Sequence, residues 1–395
     1  MNPHAIATRA PHNTASAYWQ QRLTSWDPVF TPFSVISMLV IIGIVFLPVG
    51  VTMLFGANSL YTQAIQYGGV GTEASILTDC TDGLGCDLNF TIDMNIDGPL
   101  YLYYEISNYY QNNIKYSSSV NWNQMMGKTD VSQSDLGTSC DPATTTTDNA
   151  NSALTLNPCG LIAKSYFTDA FSASVPSGTS NSFNQVEMST DEITGPLDQS
   201  LFRQPDGFKS ASYTGSACTS STQTLTAAQC SADLGTPYCK CYLDAGKKYV
   251  FYYPDDDTTE YLYETYAGLV SPLEGVTDPR FMNWMNIAAL PKFRKLYGKM
   301  EGTYKQGDQI KISVSYPVGI PGVPNSGTGY DVDQFKGTKS VVLSARGALG
   351  VKNRGLGVTY IVSGACMIVM ALVFFVKHEV SPRPLGSAAL LNWTR

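Results

Sequence analysis

Histidine is almost missing from this chain. Its 395 residues include three, His4, His12 and His378, with none between Asn13 and Lys377. That gap excludes a Ser-His or Cys-His catalytic pair, and a histidine-ligated zinc, from the bulk of the chain. Charge is scarce too: 14% of residues are Asp, Glu, Lys or Arg, against about 25% in soluble globular proteins. The balance of 25 basic to 32 acidic residues gives a net −7, so a nucleic-acid partner has no electrostatic support. Aromatics are plentiful, with 16 Phe, 24 Tyr and 5 Trp to bury, which argues against a disordered chain.

The missing charge is concentrated in two runs. None of the four charged types occurs from Pro28 to Thr72, where the apolar centre extends from Val35 to Phe55, and none occurs in the 22 residues Gly355–Val376. At 1.5 Å per residue each run can cross a hydrocarbon core of about 30 Å. A signal peptide has a shorter apolar core, about 7–15 residues, and lies closer to the N-terminus. Residues 1–33 and 377–395 together carry five basic and two acidic side chains, so the positive-inside rule puts both tails in the cytosol. Lys352 and Arg354 lie on the side the rule disfavours. The expected layout is a cytosolic tail (1–33), a first span (34–55), a lumenal or extracellular domain (56–354), a second span (355–376) and a second cytosolic tail (377–395).

Cysteine usage agrees with an oxidising compartment for the middle domain. Cys80, Cys86, Cys140, Cys159, Cys218, Cys230, Cys239 and Cys241 all fall within it, and only Cys366 lies in a span. An even count in a large non-cytosolic domain reads as up to four disulfides. Spacing makes Cys80–Cys86 and Cys140–Cys159 the natural local pairs; the other four allow three pairings. Cys239 and Cys241, one residue apart, are expected to hold two separate bridges. The sequon Asn89-Phe90-Thr91 makes Asn89 an N-glycosylation acceptor in such a domain. A second sequon, Asn392-Trp393-Thr394, falls in the cytosolic tail and is expected to stay unmodified.

Within the domain, Phe90, Ile92, Met94 and Ile96 alternate with polar residues, the period of a half-buried strand. Gly98-Pro99 then predicts a hairpin into Leu100–Ile106. Further strands are expected at Tyr249–Tyr253, Ile310–Tyr316 and Ser340–Ser344. Asp278 as N-cap, Pro279 behind it, and Phe281, Trp284, Met285 and Ala288 on one face predict a helix ending by Leu290. Residues 129–157 and 205–235, rich in Ser, Thr, Asp and Asn, read as surface loops tied down by cysteines. The fold class is an integral membrane protein with two transmembrane helices and a large, mostly antiparallel-β (α+β), disulfide-bonded ectodomain.

Chemistry-bearing motifs are weak. Gly127-Lys128-Thr129 ends like a phosphate loop, but Trp122 stands where its first glycine belongs. Asp255-Asp256-Asp257 lacks EF-hand spacing and reads as an acidic turn. Lys292, Arg294, Lys295 and Lys299 read as a solvated face or internal ion pairs ahead of a phosphate or headgroup site. Neither span contains an ionisable residue, so neither offers an ion relay. Pro48 removes a backbone donor inside the first span and is expected to kink it against a neighbouring helix. No catalytic residue, cofactor or metal is assigned.

Several segments, in order, match one family. They are Gln21-Arg22-Leu23-Thr24-Ser25-Trp26-Asp27-Pro28, Ile44-Val45-Phe46-Leu47-Pro48-Val49-Gly50, and Tyr103-Tyr104-Glu105-Ile106-Ser107-Asn108-Tyr109-Tyr110-Gln111-Asn112. Asn157-Pro158-Cys159-Gly160-Leu161-Ile162-Ala163 follows, then the longest, Phe281 to Tyr297 (FMNWMNIAALPKFRKLY). Tyr316-Pro317-Val318 and Gly337 to Ser344 precede the second span. The chain resembles the accessory (β) subunit family of type-IV P-type ATPases, the phospholipid flippases, over about half its length.

The resemblance implies a non-catalytic subunit in a one-to-one heterodimer with a flippase catalytic subunit, among membrane lipids. It implies support for that partner's folding, ER exit and phosphorylation cycle, in the endoplasmic reticulum, Golgi, endosomes or plasma membrane. Cys80–Cys86 and Cys140–Cys159 fall on family disulfide positions and Asn89 on a family glycosylation position. Trp26, Pro48, Tyr104, Asn108, Trp284, Lys292, Arg294 and Lys295 are the expected motif or interface residues. Two departures stand out. Only Phe202-Arg203-Gln204-Pro205 is clear of one family motif, and Ser210–Leu243, with four cysteines, looks like an insertion. A two-span homo-oligomeric channel subunit is the alternative from topology, but Thr359, Tyr360 and Ser363 are the only polar stripe the second span offers it.

Overall fold

The structure, a computed structural model, describes residues 30–70, 85–147, 153–176, 183–244, 246–316, 329–346 and 354–382. Trp26 and Cys80 lie outside them. The chain divides into two units, residues 1–55 with 353–395, and residues 56–352.

The first unit is a pair of long helices. Helix α1 (Pro32–Asn58) and its counterpart near the C-terminus (Arg354–Val380) have 27 residues each, about 40 Å at 1.5 Å per residue. Both are long and apolar enough to cross a membrane, and α1 runs through Pro48 without a break. They meet along a seam of small residues. A Cβ on Gly50 would lie 2.7 Å from Ile361 Cγ1 and 2.9 Å from the Gly357 carbonyl oxygen; one on Gly43 would lie 2.5 Å from Ile368 Cγ1. Glycine lets the backbones close to that distance, which is how helices associate where lipid offers no hydrophobic drive. Phe46 and Tyr360 pack edge to face across the seam, 5.1 Å between centroids.

The second unit is mostly strand. After α1 come β1 (Thr62–Gly69), β2 (Cys86–Thr91), β3 (Ile96–Asp97) and β4 (Leu100–Ile106). Short helices α2 (Ile114–Ser117), α3 (Trp122–Met125) and α4 (Gln133–Cys140) lead to β5 (Thr145–Thr147) and β6 (Ala153–Asn157). Then follow α5 (Leu161–Lys164), β7 (Ala170–Pro176), β8 (Phe183–Val186) and α6 (Pro196–Ser200). The next stretch holds β9 (Lys209–Ser212), β10 (Gln223–Thr224), α7 (Ala227–Asp233), β11 (Lys240–Asp244) and β12 (Lys247–Tyr252). The unit closes with β13 (Thr259–Tyr261), α8 (Leu262–Thr265), α9 (Pro279–Met285), β14 (Phe293–Met300), β15 (Thr303–Tyr304), β16 (Gln309–Ser315) and β17 (Thr338–Ala345). The C-terminal span is α10.

Two antiparallel four-stranded sheets, ordered β1-β17-β4-β14 and β2-β16-β7-β8, make the framework. Leu102, Tyr104, Ile106, Val341 and Leu343 of the first share one buried cluster with Phe90, Phe171, Ile310 and Ile312 of the second. Beside them a third antiparallel sheet, β10-β11-β12-β9, encloses its own small core around Cys218, Cys230, Cys239, Cys241 and Val250. Among the described residues the one parallel pair is β13 with β6.

Disulfides pair Cys140 with Cys159, Cys218 with Cys241, and Cys230 with Cys239, so the two cysteines flanking Lys240 hold different bridges. Cys86 is also disulfide-bonded. Cys366 is free.

Three local expectations are corrected. The run from Phe90 to Ile106 is not a hairpin: β2 pairs with β16, Phe90 opposite Ile310, while β4 pairs with β14 and β17. After Thr91 the chain turns around another loop, Ile92 N–H donating to the Asp308 carbonyl at 2.9 Å and Gln306 N–H to Asn95 Oδ1 at 2.9 Å. The regions read as loops contain α4, β5, β6, β9, β10 and α7. Their starts are set by capping, Ser132 accepting from Asp135 N–H and Thr226 forming a capping box with Gln229. Helix α9 begins under the Asp278 cap and stops before Leu290 as expected, but it ends at Met285 and so leaves Ala288 off its face. There Asn286 turns extended, and Ala288 N–H donates to Gln111 Oε1 at 2.9 Å instead of extending the helix.

Candidate docking surfaces

Trp26 lies outside the described residues and Pro48 within α1; the other six expected interface residues lie near the edge where β4 ends and β14 begins, but they do not share one surface. Glu105 and Arg294 are register partners. Arg294 Nε donates to Glu105 Oε2 at 2.6 Å and Lys292 Nζ lies 3.0 Å from its Oε1. Glu105 is nearly covered, while Lys292 and Arg294 stay 66% and 44% exposed. One carboxylate between two cations leaves a single residual positive charge at this rim.

Lys295, the next residue, points to the other face of the strand, as period two requires. It is buried, and its amine donates to the carbonyls of Asn283 (2.8 Å) and Asn286, closing the C-terminal end of α9. Burial pushes this amine down to about 8, and the two carbonyls favour its ammonium form. Lys299 lies further along, 2.7 Å from Glu301.

Tyr104 and Trp284 are core residues. Tyr104 stacks on Phe167 with centroids 4.0 Å apart, and the Trp284 indole N–H donates to the Ile162 carbonyl at 2.9 Å. Asn108 takes a positive φ of 59° and its amide donates to the Phe335 carbonyl. That turn seats Tyr109 among Trp284, Phe293, Phe335 and Tyr116. These residues fix the shape of the corner from within.

What the corner presents outward is apolar. Tyr109 N–H donates to the Pro291 carbonyl and Asn112 Nδ2 to the Ala289 carbonyl, so residues 109–113 run beside 288–291. Tyr110 and Leu290 on these segments, and Ile114 and Ile287 directly beside them in sequence, are exposed. Asn286 Nδ2 donates to Asp198 Oδ2 at 3.2 Å, bringing in α6 with exposed Leu197 and Leu201. Arg203 N–H donates to the Met125 carbonyl at 2.8 Å, bringing in α3 with exposed Trp122 and, just beyond it, Met126. Eight large apolar side chains thus stand in solvent on four adjoining segments, where monomeric surfaces carry such residues singly. Local sequence carried no signal for them, because an isolated apolar residue among polar neighbours reads the same in core and on surface.

Comparison with known proteins covers this whole architecture. The profile described as "LEM3 (ligand-effect modulator 3) family / CDC50 family" matches residues 53–384. "ALA-interacting subunit 3" of Arabidopsis thaliana is 27% identical over 387 residues, 96% of this chain and 90% of the relative. "Cell cycle control protein 50A" of Mus musculus is 27% identical over 388 residues, 95% of this chain and 91% of the relative. "Phospholipid-transporting ATPase accessory subunit CRF1" of Saccharomyces cerevisiae is 26% identical over 422 residues, 99% of this chain and 90% of the relative. The matched stretch includes the end of α1, every strand and all of α10, and the chain belongs to the LEM3/CDC50 family.

Proposed function

We propose that this chain is the accessory (β) subunit of a type-IV P-type ATPase, paired one-to-one with a phospholipid-flippase catalytic subunit. The observation that carries this reading is the near full-length similarity to a relative named as a phospholipid-transporting ATPase accessory subunit, over an architecture of two spans and one large domain. ATP hydrolysis, the phosphorylated aspartate and lipid translocation belong to the partner. This chain is non-catalytic and serves the partner's folding, its exit from the endoplasmic reticulum and its active cycling, and thereby bilayer asymmetry.

Both termini lie in the cytosol and the middle domain in the lumen or outside the cell, at the endoplasmic reticulum, Golgi, endosomes or plasma membrane. Asn89 is exposed on β2, an edge strand, which supports its reading as a glycan acceptor. The eight exposed apolar side chains are the main docking surface for the partner, with Lys292 and Arg294 at its rim. Asn108, Tyr104 and Trp284 support it from beneath, and Lys295 holds the α9 end in place. Trp26 anchors the N-terminal tail at the cytosolic headgroup layer. The polar side chains of α10 give little to a pore: Thr359 and Ser363 donate to carbonyls of their own helix, Gly355 and Thr359.

The test is affinity purification of the tagged full chain in mild detergent with mass determination of the complex. A stoichiometric, much larger companion that ATP phosphorylates on aspartate is the expected result. A homo-oligomer with no such companion refutes the proposal.

A further inference from the structure

Pro48 leaves an acceptor unanswered in the first span. It is the proline inside α1, and without an N–H it cannot give the Ile44 carbonyl the hydrogen bond that a helix supplies from four residues on. Ile44 is the thirteenth of the 27 residues of α1, so this carbonyl lies near the middle of the span. Hydrocarbon at that depth holds no water, and a backbone group left unpaired in it is strongly disfavoured. Among the described residues no side chain makes up the loss. Thr52 donates its hydroxyl to the Val49 carbonyl at 2.9 Å, and Ser37 donates to the Phe33 carbonyl at 2.9 Å. On α10, Thr359 and Ser363 donate to carbonyls of their own helix at 2.9 and 2.6 Å.

The side of α1 that carries this gap is also the side α10 leaves open. Gly43, Phe46, Leu47 and Gly50 face α10. At about 3.6 residues per turn, Ile41, Ile44, Val45, Pro48, Thr52 and Phe55 fall on the opposite stripe. Ile41, Ile44, Val45 and Phe55 are 62%, 60%, 52% and 73% exposed, and Pro48 and Thr52 are exposed with them. Three occupants could cover such a stripe, and chemistry separates them. Lipid tails carry no donor. A second copy, inserted the same way, meets this one at equal depth and sets acceptor against acceptor, with the α10 hydroxyls already spent. A helix of another protein can bring a polar side chain to that depth, the kind of bond that joins helices in a membrane.

We infer that a transmembrane helix of the catalytic partner packs on this stripe of α1 and donates a hydrogen bond to the Ile44 carbonyl from a hydroxyl, amide or indole side chain. The inference rests on the accessory-subunit reading and adds which face of which span the partner takes, and the chemistry it brings there.

The test uses the full chain co-expressed with its catalytic partner and purified in mild detergent. The photo-cross-linking residue p-benzoylphenylalanine replaces Ile41, Val45 or Thr52 on the stripe, or Phe46 on the seam as control, and peptide mass spectrometry maps the products. The stripe positions should join one span of the partner, which carries a donor side chain at the depth of Ile44, while Phe46 joins α10 of its own chain. Replacing that donor with alanine should weaken the complex about threefold to tenfold, the scale of one hydrogen bond between membrane helices. In Pro48→Ala the helix's own N–H answers the Ile44 carbonyl, so the same partner variant should cost nothing further. Phosphorylation of the partner on aspartate by ATP shows that its variant is folded; if it is not, the cross-link map and the identity of the contacting side chain decide alone. Stripe positions that reach only lipid or a second copy overturn the inference. So does a contacting span with no donor at that depth, or a loss of equal size in both backgrounds. A preparation with no large companion overturns the accessory-subunit reading itself, and this inference with it.

Discussion

Replacing Lys339 with methionine should cost this protein more stability than any change of similar size on its surface. Lys339 on β17 and Asp169 just before β7 form an ion pair at 2.8 Å, with side-chain exposures of 7% and 0%. The Asp169 carboxylate also accepts from the Tyr67 hydroxyl at 2.7 Å and from Tyr330 N–H at 2.5 Å. Strands β1 and β17 of the first sheet are thereby pinned to the second. The lysine stem fits because Gly68 has no side chain; a Cβ there would lie 2.5 Å from Lys339 Cε. Methionine keeps most of that stem, so the packing loss is small. What remains is an aspartate buried without its cation, a penalty of about 3–5 kcal/mol. For a domain of this size that is on the order of 10 °C in unfolding temperature. Tyr67→Phe removes one hydrogen bond and should cost about 1 kcal/mol. The double variant Lys339→Met with Asp169→Asn removes both charges and should recover at least half of the loss. Thermal unfolding of the full chain in detergent, followed by near-ultraviolet circular dichroism, compares the three variants with the parent. A Lys339→Met protein as stable as the parent, or a double variant no better than the single, would refute the reasoning.

If the apolar corner docks the partner, Ile114→Asp with Leu290→Asp should cut the co-purified catalytic subunit several-fold at unchanged unfolding temperature. Raising salt should weaken the complex little, since the rim offers one residual charge; strong salt sensitivity at wild-type sequence would count against an apolar interface. Gly50→Val should part the spans, because its new carbon meets the Ile361 amide nitrogen at 2.8 Å as well as its side chain. Cross-linking between cysteines placed at Phe46 and Tyr360 reads this, and undiminished cross-linking would contradict the seam. Alkali should unfold the middle domain. Burial raises Tyr67, Tyr104, Tyr166 and Tyr330 well above the usual 10. Their contribution is therefore whole below pH 10 and lost above it, by about 5 kcal/mol per pH unit for the four together. Lys295, lowered from 10.5 to about 8, acts in the opposite sense: its contribution is complete above 10.5 and fades as pH falls through 8. Lys295→Met should flatten the pH dependence of unfolding between 8 and 10.

The spans were legible in the sequence because lipid imposes a rule that a short window can satisfy, a long run without charge. Strand interiors were legible for a similar reason: Ile310, Ile312 and Val314 alternate with polar neighbours and all three are buried. Strand partners were not. Phe90 faces Ile310, and nothing within reach of Gly98-Pro99 distinguishes that pairing from a local hairpin. The basic cluster failed differently. Arg294 and Lys295 are adjacent in sequence, but a strand sends adjacent side chains to opposite faces. Period two along β14 is enough by itself to set Lys292 and Arg294 apart from Lys295. The exposed apolar corner had no such signal, because its residues come together only after α3, α6 and the chain past α9 are placed.

Scarcity of charge has a consequence for how the protein meets another. Glu105 sits between two cations, Asp169 holds Lys339, and Lys240 is shared by Asp256 and Glu264 at 2.6 and 2.8 Å. In each case the ions bind one strand or turn of this chain to another, so these buried or half-buried charges are already committed. The rim pair of Lys292 and Arg294 adds at most about 1 kcal/mol per contact in an exposed setting. Eight apolar side chains, 39–83% exposed and each gaining about 1 kcal/mol when a partner covers it, offer on the order of 8 kcal/mol. That sum falls within the cost of about 4–15 kcal/mol for bringing two proteins together, so the corner alone makes a weak complex. A stable one needs the spans to pair as well, and then the domain and the membrane helices act as two linked contacts, each marginal and together sufficient. On this argument neither part should hold a partner when separated from the other.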